Sequence, residues 1–279
     1  MRVKIPKGPL RVKPRRLYRQ VWNSLNQVAK INRHIENPIW LSGHAEHDSW
    51  GKSPLRLTIW NIFKGHGGEH FYNDFRLLIF QSDILLLQEA LLSPRSLQEL
   101  SPNGFLGVHG AAYERADKLR DGVMTLSRME LEANPQRILC KYPEPLLKTL
   151  KTALVTLYSL GPGRPKLMVI NIHATLIRTI KRAVEELDHL IAQLPCHEGP
   201  MIFAGDFNTF TPRYFKAVVL KLKQLGLRHV PIPEDPRRAV DHLDQLFVRH
   251  IRVKDIHVDT QVKSSDHFPI QALLEFEDS

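Results

Sequence analysis

The sequence predicts an α/β fold in which two β-sheets pack face to face with helices on the outside. From Leu55 onward, apolar runs of strand length alternate with amphipathic helical stretches. In the middle of the chain strand follows strand, and the total reaches about nine strands and four or five helices. That mixture fits two packed sheets better than one doubly wound sheet. No internal repeat or low-complexity segment interrupts the pattern.

Taken in order, residues 1–16 hold three prolines and alternate basic with apolar side chains, so they are expected to be extended. Leu17 to His34 reads as a helix, with Leu17, Val21, Leu25 and Val28 on one face, and Asn37-Pro38 ends it. The polar, histidine-containing stretch 41–53 is expected to be a loop. Leu55 to Ile59 is a strand, and helices at Phe71 to Phe80 and Pro94 to Leu100 flank another over 83–88. Strands at Gly122 to Ser127 and Thr152 to Tyr158 are separated by the loop Tyr142-Pro143-Glu144-Pro145. A strand over Leu167 to Ile172 leads into the clearest amphipathic helix, Leu176 to Leu194. Met201 to Ala204 is a strand and Arg213 to Leu225 a helix; strands at Leu243 to Val248 and Phe268 to Phe276 close the pattern. The organisation expected is a basic extension with one helix over 1–50 and one large domain over 51–279.

The net charge of +10 suggests an anionic partner, but its placement qualifies that inference. Residues 1–50 carry ten basic and three acidic side chains, so most of the excess belongs to the extension. Such an arm can meet nucleic acid, an anionic membrane surface or an acidic partner, or remain solvated. Two cysteines, Cys140 and Cys196, exclude a disulfide framework and a cysteine-rich metal site. No apolar stretch approaches the ~18 residues that span a bilayer. The basic N-terminus lacks the apolar region of a secretion signal, so a cytoplasmic location is expected.

Five polar clusters sit at strand ends: Trp60-Asn61, Gln88-Glu89, His173, Gly205-Asp206-Phe207-Asn208 and Ser265-Asp266-His267. Glu89 emerges from the most apolar strand, where a carboxylate is costly unless it meets a cation or an open edge. A hard ion such as Mg²⁺ suits it, because Mg²⁺ takes carboxylates, water and phosphate oxygens. Asn61 can orient a metal-bound water or a phosphate, although strand-end asparagines are also common turn residues. The i, i+2 spacing of Asp206 and Asn208 on an extended segment turns both side chains to one face. A carboxylate paired with an amide suits water positioning and oxyanion stabilisation. A lone strand-end histidine such as His173 is more often structural. His267, beside Asp266, is a better proton-transfer candidate, with Asp244 as its orienting partner and Asp241 as the competing choice. His66 and His70 can line a substrate loop, and His44 and His47 lack a second ligand pair for zinc.

Together, Trp60-Asn61-Ile62, Leu87-Gln88-Glu89, Asn171-Ile172-His173, Gly205-Asp206-Phe207-Asn208 and Ser265-Asp266-His267 resemble the signature of the endonuclease/exonuclease/phosphatase superfamily over 55–276. Stretches 121–127, 151–156 and 171–174 are similar to its bacterial YafD-like group. The resemblance implies a four-layered α/β sandwich of the DNase I-like kind, two mixed sheets between outer helices. It also implies Mg²⁺- or Mn²⁺-dependent hydrolysis of phosphate esters. By the same resemblance Glu89 is the principal metal ligand, with Asn61 and Asp266 nearby. Asp206 positions or deprotonates water, Asn208 binds phosphate, and His173 and His267 contact it, with Asp244 orienting His267. Which of Asp206 and His267 takes the water proton is left open. The superfamily's abasic-site nucleases carry Tyr and Pro-Asn where this chain has His173-Ala174-Thr175. An abasic-repair role is therefore not expected. Nucleic acid is the expected substrate and a phospholipid or inositol phosphate head group the alternative. A Pro-rich stretch at 142–147, with Leu146 and Leu147, is the faint cue for lipid. A monomer is expected, and an inactive binding module is the least favoured reading.

Overall fold

Strands made of near-continuous apolar residues must be covered on both faces, and the layering of this protein follows from that requirement. The computed structural model describes residues 31–32, 35–51, 54–144, 148–177, 179–237 and 243–276. The expected helix at 17–34 falls almost wholly outside them, as do Leu146, Leu147 and Asp241.

Among the described residues there are thirteen strands, β1 to β13. One sheet has seven, in the order β1-β4-β5-β3-β2-β13-β12, and the other six, in the order β10-β11-β9-β8-β7-β6. Alternate residues of each central strand face opposite layers, as the two-residue strand period requires. Leu57 and Ile59 of β2 (Leu55–Asn61) and Ile84 and Leu86 of β3 (Ile84–Leu92) face the other sheet. There they meet Val169 of β8 (Leu167–His173), Ile202 of β9 (Met201–Asp206) and Leu246 of β11 (Asp244–Arg249). Trp60, Leu85 and Leu87 face outward onto Phe71, Phe75 and Leu78 of α1 (Glu69–Phe80). On the opposite side Met168, Ile170 and Phe203 pack against Leu187 of α3 (Ile180–Ile191) and Val218 of α4 (Pro212–Lys223). The short α2 (Pro94–Glu99) starts with a Ser93 capping box and proline in the first turn. Helix, sheet, sheet and helix make the four layers.

The structure adds strands where the sequence pattern was weak. The expected loop at 41–53 instead supplies part of β1 (Ile39–Gly43), which pairs with β4 (Leu106–Glu114), and Trp50, which enters the inter-sheet core. β4 escaped detection because two glycines and a histidine break its apolar run. The charged edge strand β12 (Ile251–Val258) alternates buried with exposed residues, a pattern that protects a sheet edge. The helix expected from Leu176 begins at Ile180. Before it, Ala174 N donates to Asp206 O at 2.7 Å and the Thr175 hydroxyl to Tyr142 O at 2.9 Å, holding that stretch as a strap across strand ends.

A cluster of buried polar contacts crosses the inter-sheet core. Gln88 Nε2 donates to Asn171 Oδ1 at 2.8 Å, and Asn171 Nδ2 donates to Leu87 O at 3.2 Å and Met124 O at 2.9 Å. Both side chains are fully buried, so their hydrogen bonds have no solvent substitute. Asn171→Leu is expected to lower unfolding stability by about 3 kcal/mol in urea denaturation, because it strands several buried polar atoms. A loss below about 1 kcal/mol would deny the link that role.

Candidate phosphoester-hydrolysis site

Strand pairing places the five clusters at one edge. Parallel β2 and β3 bring Asn61 opposite Gln88, and parallel β8 and β9 bring His173 opposite Asp206. Antiparallel β11 starts with Asp244 directly opposite Asp206. The loop before β13 (Ile270–Phe276) is fastened to β2: Ser265 Oγ donates to Asn61 O at 2.7 Å, and Trp60 Nε1 to His267 O at 3.0 Å.

Left-handed backbone marks this edge. Glu89 has φ +51° at a bulge between Leu87 and Ala90, which turns its carboxylate out of the strand's alternation. Asn208 also has φ +51°, and Phe63 and Lys64 are consecutive positive-φ residues. Such conformations cost about 1–3 kcal/mol each for most side chains and concentrate at functional sites. Gly205, at φ +132°, has no alternative, since a Cβ there would lie 2.0 Å from Ile172 O.

The side chains form a contact chain. Asn61 Nδ2 donates to Asp206 Oδ2 at 3.1 Å, and His173 Nε2 lies 3.4 Å from the same oxygen and 4.0 Å from Glu89 Oε1. Asn208 N donates to Asp206 Oδ1 at 2.9 Å, while its Nδ2 donates to Ala174 O at 2.8 Å. His267 Nδ1 and Asp244 Oδ2 are 2.7 Å apart, so Asp244 is the partner the structure gives His267. Asp266 is exposed and accepts from Ser265 Oγ at 3.4 Å.

Charge is distributed unevenly among these groups. Burial opposes ionisation of Glu89, yet the ammonium groups of Lys151 and Lys64 bring its pKa down to about 2. Burial, with Asp244 opposite, raises Asp206 to about 7. Burial also holds His173 well below the usual histidine range, an effect to which Lys151 adds. Burial works against the charge on His267 as well, but the Asp244 carboxylate outweighs it and pushes the pKa up to about 10. His173 is therefore neutral at pH 7 and His267 cationic.

Among the described residues, ligand atoms of Asp206, Asp244 and His267 lie within 4.8 Å of one another, a grouping able to hold a metal ion. The set expected from sequence, Asn61, Glu89 and Asp266, is all oxygen and suits Mg²⁺ or Mn²⁺ chemically. Glu89 keeps 17% of its side chain exposed toward solvent. Sequence reasoning missed Lys64, Tyr113, Asp121 and Lys151, which surround Glu89. Lys151 immediately precedes a strand whose first residue pairs with His173, a register cue visible only once the strands are paired. His47 contacts Glu46 and the Trp50 ring, and His66 stacks near Phe63.

Two mixed sheets packed face to face between outer helices define an α/β sandwich of the DNase I-like kind. The sequence family described as endonuclease/exonuclease/phosphatase matches residues 59–267, and the chain belongs to that family. It is accordingly a hydrolase acting on phosphoester bonds, in a family that depends on metal ions. A UPF0294 protein of Erwinia tasmaniensis is 32% identical over 231 residues, spanning 81% of this chain and 82% of its own. The structure is similar to an endonuclease/exonuclease/phosphatase family protein of Bacteroides thetaiotaomicron, with TM-score 0.62 and 15% identity over 81% of this chain and 99% of that one. It is also similar to the human Nocturnin catalytic domain with bound sulfate anion, with TM-score 0.59 and 19% identity over 85% and 97% of the two chains. No helix among the described residues is long and apolar enough to cross a membrane.

Proposed function

We propose that this protein is a Mg²⁺- or Mn²⁺-dependent phosphodiesterase that hydrolyses nucleic-acid backbones by in-line attack of water. The observation that carries the reading is the continuous contact chain from Glu89 through His173 and Asp206 to Asn61, beside the Asp244–His267 pair. Glu89, Asn61 and Asp266 hold the divalent ion, which supplies Lewis-acid charge to the phosphate when bound. The Asp206, Asp244 and His267 grouping is assigned to proton handling, because an imidazolium already paired with Asp244 has no lone pair for a metal.

Asp206 takes the proton from water. Its pKa of about 7 matches a base working near neutrality. His267, protonated and oriented by Asp244, donates to the phosphate and counters its growing charge. Neutral His173 and the Asn208 amide supply further donors without adding net charge. Exposed aromatic rings flank the site: Phe63 is 40% and Phe210 42% exposed, each two residues from a polar member. Flat exposed rings beside a phosphate site suit base stacking, which favours nucleic acid. The lipid reading relied on Leu146 and Leu147, outside the described residues.

The expected result is metal-dependent cleavage of plasmid DNA, single-stranded DNA or RNA, without turnover of phosphoinositides or sphingomyelin. Turnover confined to the lipids would replace this substrate assignment. The pH dependence of kcat/KM should be bell-shaped. Activity rises with pH as Asp206 deprotonates, through about 7 or lower once a cation binds nearby, and falls as His267 loses its proton near 10. An ascending limb that persists in Asp206→Asn would take the base role away from Asp206.

The basic extension has its own test. Residues 1–30 carry nine Lys/Arg and no acid. If they neutralise phosphates, deleting them should flatten the log K against log salt slope by about 2 or more, at about 0.7–0.9 per contact. An unchanged slope removes the arm from the interface.

A further inference from the structure

Glu89 is not surrounded by empty acceptor space. Lys64 Nζ lies 3.4 Å from its Oε2 and Lys151 Nζ 3.8 Å from its Oε1. Each lysine also has a second carboxylate: Lys64 is 3.6 Å from Asp121 Oδ2, and Lys151 is 3.3 Å from Glu144 Oε1. The two lysines differ in freedom. Lys151 has 8% of its side chain exposed and is enclosed, whereas Lys64, at 24%, projects from the short left-handed turn after Asn61. Asp121 is almost fully buried in β5 (Arg120–Ser127), and its Oδ2 accepts the Tyr113 hydroxyl at 3.1 Å. None of Lys64, Asp121 and Tyr113 has a part in the hydrolytic steps above.

A divalent ion coordinated by a carboxylate sits about 2.1 Å from its oxygen. An ion held by Glu89 would stand close to the Lys64 ammonium, which is 3.4 Å from Oε2 of the same carboxylate, and both side chains are mostly buried. Like charges so placed repel strongly. Lys64 need not move far to relieve the repulsion, because Asp121 is already within reach. We propose that Lys64 is a displaceable counter-cation that sets the divalent-ion affinity of Glu89, and that Asp121 receives its ion pair when the ion binds. The inference rests on Glu89 being a metal ligand. Tyr113 keeps the receiving carboxylate in place, and Lys151 remains with Glu144 throughout. The exchange makes the site discriminate by charge, since a monovalent ion gains too little from Glu89 to displace an ammonium already there.

Mn²⁺ titration of the full-length protein, followed by calorimetry or by the loss of free-ion EPR signal, tests this directly. Lys64→Ala should tighten Mn²⁺ binding about tenfold and Asp121→Asn should weaken it about tenfold, within the usual range of coupling between linked sites. In the Lys64→Ala background, Asp121→Asn should change affinity by less than about threefold, because the ion pair it receives no longer exists. Lys64→Met keeps the aliphatic stem and replaces Lys64→Ala if that variant fails to give a parent-like melting curve. Unchanged or weaker binding in the Lys64 variants, or an equal Asp121→Asn effect in both backgrounds, would overturn the exchange. Wild-type protein with no saturable Mn²⁺ binding would overturn the Glu89 metal assignment itself, and the exchange with it.

Discussion

Glu89→Gln is expected to reduce kcat/KM by about 10³-fold or more, the scale on which charge stabilisation at a reacting phosphate operates. The substitution keeps the volume and one oxygen but removes the charge that Lys64, Lys151 and the divalent ion share. Mn²⁺ affinity should fall in parallel, and excess Mn²⁺ should restore part of the rate. Stability in the absence of metal should fall, because the depressed pKa of Glu89 means that its ion pairs outweigh the burial penalty at pH 7. A neutral amide in place of Glu89 loses two ion pairs and leaves Lys64 with Asp121 alone and Lys151 with Glu144 alone. Full activity in Glu89→Gln would remove Glu89 from the metal site and leave Asp206, Asp244 and His267 as the ligand group to test.

His267→Ala is expected to lower kcat by about 10²–10⁴-fold, with a smaller effect on metal affinity. Asp244→Asn should act in the same direction, because its amide cannot hold His267 in the cationic form, and the descending pH limb should move well below 10. The two substitutions together should cost little more than His267→Ala alone, since the 2.7 Å contact makes them one unit. Additive losses would mean that Asp244 acts on the substrate separately. In the metal titration the two differ in size, a clear fall in affinity for Glu89→Gln against a smaller change for His267→Ala, so the two halves of the site can be distinguished experimentally.

The fold class was legible because β2, β3, β8 and β9 carry apolar runs too long and too uniform for exposed strands. The polar residues that interrupt those runs, Asn61, Glu89, His173 and Asp206, were visible for the same reason: each is costly where it stands unless it has a partner. Asp244 could be preferred over Asp241 by its position at the start of an apolar strand. Other features were illegible for physical reasons. Lys64 and Lys151 look like ordinary solvated lysines, and only tertiary contact places both on Glu89. The bulge at Glu89 has no glycine to announce it. The edge strands β1 and β12 are short or charged, as protected edges are, and so lack the periodic signal of central strands. Asp121 follows a basic turn, and nothing local distinguishes it from a surface carboxylate.

The Gln88–Asn171 contact fastens the two plates near one rim, where the Asn61–Asp206 hydrogen bond also joins them. Gln88 adjoins Glu89, and Asn171 lies two residues before His173, so the fastening sits beside the reacting groups. Rotation of one plate over the other about such a pivot displaces the far rim, near Leu55 and Met201, by a long lever arm and the chemical rim by a short one. Apolar contacts between plates resist separation but are poor at resisting slip. The pivot therefore converts a slippery interface into one whose slack collects away from the catalytic groups. Repacking the distant core can soften the molecule while the spacing between Glu89 and His173 holds, whereas loosening the pivot would blur that spacing in a molecule that still melts cooperatively.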